Sequence, residues 1–114
     1  MVVTLTLNIL QRVKMMNLFD SYPGNKRDSR IDSKIVGKVQ LTKEEIERCE
    51  FRVVQLDSVG QISYRWKPDA DFESAIEFNN EETTRMIAVF EGWPGSTASE
   101  LRSWLEPILV GLGI

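Results

Sequence analysis

The chain has 114 residues, of which 42% are hydrophobic and 27% are charged, and its formal net charge is −3. This length and composition indicate a globular rather than a disordered protein and suit a domain that buries its own core. The chain contains no histidine and one cysteine, Cys49. An internal disulfide, a zinc site and a Ser–His or Cys–His catalytic pair are therefore excluded. We expect a single domain over residues 1–114 that uses no cofactor.

The cellular compartment of the protein can also be predicted. A lone thiol is typical of a reducing compartment. Residues 1–11 lack the basic segment and the cleavage site of a signal peptide. No uncharged apolar run approaches the roughly 20 residues that a membrane-spanning helix needs. We expect a cytoplasmic protein that does not bind membranes.

The N-terminal segment carries apolar residues at three- and four-residue steps between Leu7 and Leu18. This spacing predicts a helix over about residues 5–19, capped by Thr4 or Thr6. The alternation at Val2–Leu7 leaves open a short strand at the start.

A polar stretch containing a Pro-Gly pair predicts a loop over residues 20–28. Ser29, followed three residues later by Asp32, then predicts the N-cap of a second helix. We expect this helix to run to about Lys38.

The centre of the chain, Glu50–Trp66, predicts a β-hairpin. Its strands lie near residues 51–56 and 61–66, and residues 57–60 supply turn-forming side chains. Alternation in the second strand places three large side chains on one face, which we expect neighbouring helices to cover: Ile62, Tyr64 and Trp66.

Three pairs of residues match the pattern of a helix-initiating capping box. They are Thr42 with Glu45, Asn79 with Glu82, and Thr97 with Glu100. Pro107 should interrupt the last helix, because proline lacks the N–H that a helix interior requires. Alternation over Glu73–Phe78 predicts a third strand. The expected fold is α+β, with a small antiparallel sheet (the central hairpin and this third strand) packed against four to five short helices.

Charge is distributed unevenly. Residues 1–43 contain eight basic and three acidic side chains, whereas residues 44–114 contain six and fourteen. Five basic residues are candidate contacts for a partner or for nucleic acid: Lys26, Arg27, Arg30, Lys34 and Lys38. Mutual neutralisation of the two halves is the alternative. The sequence pI of about 5.0 argues against a general nucleic-acid binder.

Two other surfaces are candidates for protein contact. The first is acidic and consists of Glu73, Glu77, Glu81 and Glu82. The second belongs to the uncharged C-terminal segment and consists of Ile108, Leu109 and Leu112. This segment either packs in its own core or forms a two-fold homodimer.

Three stretches, LNILQRV with the following NLF, LTKEEIERCEFR and IEFNNEETTRMI, resemble small uncharacterised proteins encoded by bacteriophages and related mobile elements. The resemblance implies a host-cell cytoplasm and a non-catalytic role, such as inhibiting or redirecting a host or defence protein. It assigns no activity and no site residues.

These patterns rank three functions. The first is a non-enzymatic protein-interaction module, of the modulator kind that the resemblance implies. The alternative is a nucleic-acid-associated protein that uses the basic N-terminal segment. A small enzyme that uses paired carboxylates ranks last, because no motif indicates which carboxylates share a cleft.

Overall fold

The computed structural model of the protein describes residues 2–55, 62–67 and 71–114. In chain order the elements are β1 (Val3–Leu7), α1 (Ile9–Ser21), α2 (Lys26–Val39), α3 (Lys43–Cys49), β2 (Arg52–Gln55), β3 (Ile62–Arg65), β4 (Ser74–Phe78), α4 (Asn80–Gly92), α5 (Ala98–Glu100), a π-helical turn (Leu101–Leu105) and α6 (Glu106–Leu112). Two antiparallel strand pairs, β1 with β4 and β2 with β3, accompany the helices. The predicted α+β class is confirmed.

The strand predicted over Glu73–Phe78 is present as β4, but it does not extend the hairpin. It pairs with β1, so that Val3 lies opposite Phe78 and Leu7 opposite Ser74. On β1 the odd-numbered leucines are buried and the intervening threonines are exposed, as expected for a strand with one covered face. The structure therefore corrects the partner of this strand.

The first helix begins later than its spacing predicts. Residues up to Leu7 are held in β1, and Asn8 caps α1. The Asn8 side chain accepts a hydrogen bond from the Gln11 N–H, and the Gln11 side chain accepts one from the Asn8 N–H, both at 2.9 Å. The predicted start near residue 5, with a threonine cap, is wrong because strand pairing with β4 outweighs the local helical spacing.

The second helix is capped by Asn25, and the predicted cap at Ser29 is wrong. Asn25 and Asp28 form a reciprocal capping box, which starts α2 one turn earlier and shortens the predicted loop. The capping boxes predicted at Thr42 and Asn79 are both present.

The chain folds into two compact units, Met1–Gln40 with Glu73–Ile114, and Leu41–Phe72. One cluster of buried apolar side chains lies in the first unit. Its members come from both strands of the β1–β4 pair, from α1, α2, α4 and α6, and from the π-helical turn: Leu5, Leu7, Met15, Phe19, Ile31, Ile35, Val39, Phe78, Met86, Val89, Phe90, Trp104, Leu105, Ile108 and Leu112. None of the cluster members is a described residue of the hairpin. A single domain over residues 1–114 remains a prediction.

A buried arginine holds the first unit together at the point where residues 41–72 branch off. Arg12 is 4% exposed. Its Nε donates to the Val39 carbonyl at 2.8 Å and its Nη2 to the Gln40 carbonyl at 2.9 Å. Its Nη1 lies 3.5 Å from Ser74 Oγ. The guanidinium thus binds the last carbonyls of α2, where a positive charge is favoured.

The second unit contains α3 and the hairpin. The Phe51 ring stacks on Tyr64 at 5.8 Å and on Trp66 at 6.2 Å between centroids, and both partner rings are half-buried. The antiparallel pairing of β2 with β3 confirms the predicted hairpin, and Phe51 lies against the two aromatic residues of its predicted covered face. That helices cover this face stays a prediction. The predicted turn at residues 57–60 and the side chain of Ile62 lie outside the described part of the chain.

The chain ends in a helix that changes its winding before Pro107. In the π-helical turn the Glu106 N–H donates to the Leu101 carbonyl, five residues back, and Pro107 then lies in the first turn of α6. The predicted interruption is confirmed, and the wider turn accommodates the missing N–H of proline. Gly113, with φ of 78°, ends α6 in the left-handed conformation.

Candidate functional site

Four of the five predicted basic contact residues lie along one side of α2. These residues are separated by three or four positions, which keeps them within roughly 80° of arc around the helix. We call them the basic stripe: Arg27, Arg30, Lys34 and Lys38. All four side chains are exposed. Lys26 is also exposed, but it lies off the stripe at the first helical residue. The fold therefore aligns residues that the sequence only places near one another.

Lys38, at the end of the basic stripe, is bound within the protein. Its Nζ lies 2.6 Å from Glu82 Oε1 and 3.0 Å from the Glu77 carbonyl oxygen. Glu82 is 1% exposed, and its Oε1 also accepts a hydrogen bond from the Asn79 N–H at 2.8 Å. This pair joins α2 to the start of α4. Glu82 therefore does not belong to an exposed acidic face.

The other three residues of the predicted acidic face are exposed. Glu77 lies on β4 opposite Thr4, Glu73 lies just before β4, and Glu81 lies in the first turn of α4. An acidic first turn is favourable for the helix dipole, so Glu81 also has a structural role.

Arg85 on α4 is not among the predicted site residues, yet it connects α4 to α2. Its Nε and Nη2 donate to the two carboxylate oxygens of Asp32 at 2.8 and 2.9 Å. Its guanidinium also lies 5.6 Å from the centroid of the Tyr22 ring. The hydrogen bond with Asp32 raises the pKa of Arg85, and the negative charge of Asp28 acts in the same direction, whereas burial opposes both. The side chain is therefore a permanent cation.

One sequence signal points to a partner such as Arg85. Asp32 lies on the same side of α2 as the buried residues Ile35 and Val39, and it is itself 4% exposed. A carboxylate on the apolar side of a helix needs a cation or hydrogen-bond donors. The sequence does not indicate which basic residue supplies them.

Between α2 and α4 lies an open cleft of about 470 Å³, which we call the α2–α4 cleft. Its walls are formed by Asn25, Arg27, Asp28 and Ile31 from the α2 side and by Asn80, Glu81, Thr84, Arg85 and Ala88 from α4. Ile31 and Ala88 provide apolar surface, while Arg27 and Glu81 place opposite charges on the two walls. The cleft thus combines an apolar surface with charges of both signs.

The residues predicted for self-association belong to the core of the first unit. Ile108 and Leu112 are 1% and 2% exposed, and Leu109 is half-buried against the same cluster. Burial within the chain's own core, the alternative to a dimer, accounts for these side chains. The apolar residues that α6 and the following terminus expose are Val110 and Ile114.

Three further properties of the described residues concern metal binding, thiol reactivity and membrane-spanning helices. Among them, no group of three or more acidic or cysteine side chains is placed to hold a metal ion. Cys49 is fully buried, which does not suit a reactive thiol. None of the helices within residues 2–55, 62–67 and 71–114 is long and apolar enough to cross a membrane.

No family model, no curated protein and no solved structure matches this chain.

Proposed function

We propose that the protein is a non-catalytic protein-binding module whose partner occupies the α2–α4 cleft. The observation that supports this most directly is the composition of the cleft, an apolar surface flanked by charged side chains of both signs. Protein partners commonly bury apolar anchors at the centre of an interface and meet charged residues at its rim. The role implied by the resemblance, modulation of a host or defence protein in the host cytoplasm, suits such a module.

The charges of the cleft favour a protein segment over a polyanion. Arg27 would attract an acidic side chain, but Asp28 and Glu81 would repel a phosphate backbone at the same place. The expected partner segment therefore carries an apolar side chain between an acidic and a basic residue. Such rim charges contribute more to specificity and association rate than to affinity.

The test is affinity capture in the presence of nuclease, comparing the wild-type protein with Ala88→Arg. Ala88 lines the cleft from an exposed helical position, so the larger side chain should obstruct the cleft without disturbing the core. We expect the capture of the partner to fall at least about tenfold, which corresponds to about 1.4 kcal/mol. Gln40→Arg adds the same side chain at an exposed position outside the cleft and should capture the partner normally.

Equal capture by wild-type protein and Ala88→Arg would contradict a partner in the cleft. Capture that disappears on nuclease treatment would instead point to the alternative function.

The alternative is association with nucleic acid through the exposed part of the basic stripe. Along the helix axis, Arg30 lies about 4.5 Å from Arg27, and Lys34 lies about 6 Å from Arg30. The three side chains therefore form a row of cations. Among the described residues none of these three side chains is in an ion pair. The net charge of −3 opposes general binding to phosphates.

Arg30→Gln combined with Lys34→Gln separates the two functions, because neither residue lines the cleft. If nucleic acid binds the basic stripe, the slope of log affinity against log salt should fall by about two for duplex DNA. Fluorescence polarisation with a labelled duplex measures this slope. A protein partner in the cleft should be captured equally well by this double variant.

A further inference from the structure

A second cleft, of about 270 Å³, lies at the π-helical turn, where α1 approaches the end of α4. We call it the indole cleft, and its lining residues are Lys14, Asn17, Leu18, Trp93, Glu100 and Trp104. This volume is just below the roughly 300–1,000 Å³ of pockets that enclose drug-sized ligands. The indole cleft therefore suits a small headgroup or a single side chain.

Two tryptophans form the aromatic part of this cleft. Trp93 is half-buried, and its ring lies 5.9 Å from that of the buried Trp104, at an angle of 46°. Gly95 closes over Trp93, since a Cβ at that position would lie 2.6 Å from the indole Nε1. Only glycine permits so close an approach of the backbone. The Trp93 indole thus packs closely against the backbone of its own loop.

A single carboxylate lies beside these rings. Glu100 Oε2 accepts a hydrogen bond from Trp104 Nε1, which holds the carboxylate within the cleft. Its other oxygen lies 4.0 Å from Lys14 Nζ, and the Lys14 side chain is 43% exposed. This ion pair is at the outer limit of a salt bridge and is worth little. The carboxylate is therefore firmly placed, but its counter-ion is loosely held.

We propose that the indole cleft binds an organic cation carrying a methylated ammonium group. The faces of tryptophan rings attract such a cation, and a nearby carboxylate supplies the opposite charge. Trp93 provides the accessible ring, Glu100 the charge, and Leu18 the apolar contact for the methyl groups. Lys14 occupies the position of the counter-ion in the absence of ligand, and the bound cation displaces it. The site is separate from the α2–α4 cleft and does not depend on the proposed function.

The test uses choline and its neutral isostere 3,3-dimethyl-1-butanol, which have the same shape and differ in charge. Each tryptophan indole N–H gives one signal in a ¹H–¹⁵N spectrum. We expect choline to shift the signals of Trp93 and Trp104 and to leave that of Trp66, which directly follows β3, unchanged. The neutral alcohol should bind at least about tenfold more weakly. Equal binding of the two compounds, or no shift of Trp93 with choline, would overturn the proposal.

Two variants test the assigned roles. Glu100→Gln can still accept the hydrogen bond from Trp104 Nε1, so the cleft should keep its shape while choline affinity falls about tenfold. Lys14→Met removes the competing ammonium group and should raise choline affinity several-fold. Glu106→Gln makes the same charge change at an exposed position outside this cleft and should have no effect. A Glu100→Gln variant that binds choline as well as wild-type protein would also overturn the proposal.

The methylated ammonium group can belong to a free metabolite or to a methylated lysine of a protein. A short peptide containing trimethyllysine distinguishes these sources. Binding at least tenfold tighter than that of choline would identify a protein side chain as the ligand, whereas similar or weaker binding would identify a free small cation. Either conclusion holds only if the peptide also shifts the indole N–H signals of Trp93 and Trp104.

Discussion

Glu82 makes two interactions, one with a residue close in sequence and one with a distant residue. It completes the cap of α4 by accepting the Asn79 N–H, and it binds Lys38, which is 44 residues away in sequence. The cap is a local pattern of three residues, so it can be predicted from sequence. The ion pair depends on how α2 packs beside β4 and α4, and no local pattern indicates it. For the same reason Glu82 is predicted as a surface residue but is buried.

Substitutions of Glu82 should separate these two roles. Glu82→Gln keeps an acceptor for the cap but loses the charge pair, and we expect a loss of about 1–2 kcal/mol in the free energy of unfolding. Glu82→Ala loses both interactions, and the expected loss is about 3 kcal/mol. Urea denaturation at neutral pH measures both values.

The neighbouring residue provides the control. Glu81 is exposed in the same helical turn, so Glu81→Gln should change stability by less than about 0.5 kcal/mol. Equal effects of Glu81→Gln and Glu82→Gln would mean that the pair with Lys38 does not contribute to stability.

At the scale of the element, the helices could be predicted better than the strand partners. Helical periodicity and capping boxes are encoded within a few residues, and the starts of α3 and α4 agree with the structure. β1 is different, because its apolar residues fit both a strand and the beginning of a helix. The partner that decides between them is β4, about 70 residues later. Asn25 and Ser29 show a smaller ambiguity. Two possible caps lie one helical turn apart, and the one with a reciprocal partner starts the helix.

Two glycines in or beside helices should respond oppositely to alanine. A Cβ at either Gly37 or Gly113 would meet no atom within 4 Å, so contacts do not decide the result. Gly37 has helical geometry within α2, and Gly37→Ala should stabilise the protein by about 0.5–1 kcal/mol. Gly113 has a φ of 78°, and Gly113→Ala should destabilise it by about 1 kcal/mol.

Thermal unfolding followed by circular dichroism measures both changes. A shift of the melting temperature in the same direction for the two variants would contradict an explanation based on backbone conformation.

At the scale of the whole molecule, the candidate site could be predicted in part. The basic residues of α2 are identified by the sequence, because charge and helical spacing can be read locally. The opposite wall of the α2–α4 cleft could not be predicted, because Thr84, Arg85 and Ala88 reach α2 only through tertiary packing. The two compact units could not be predicted either, since nothing in the composition marks Gln40 or Glu73 as a boundary.

The two-unit organisation leads to a prediction about the second unit. We expect that replacing residues 41–72 with a short Gly/Ser linker leaves the first unit folded, because no described residue of that segment belongs to the buried apolar cluster. A flexible linker adds little closure cost when the ends that it joins are close. Cooperative thermal unfolding and a dispersed NMR spectrum would support this expectation. An unfolded or aggregated product would show that residues 1–114 form one inseparable domain.

Arg12 contacts both of the ends to be joined. One guanidinium group contacts the Gln40 carbonyl, where the chain leaves the first unit, and Ser74, just after it returns. The segment 41–72 therefore leaves and re-enters the first unit beside one guanidinium group. A change in the length of that segment should therefore leave the β1–β4 pair in place, as long as Arg12 keeps these two contacts.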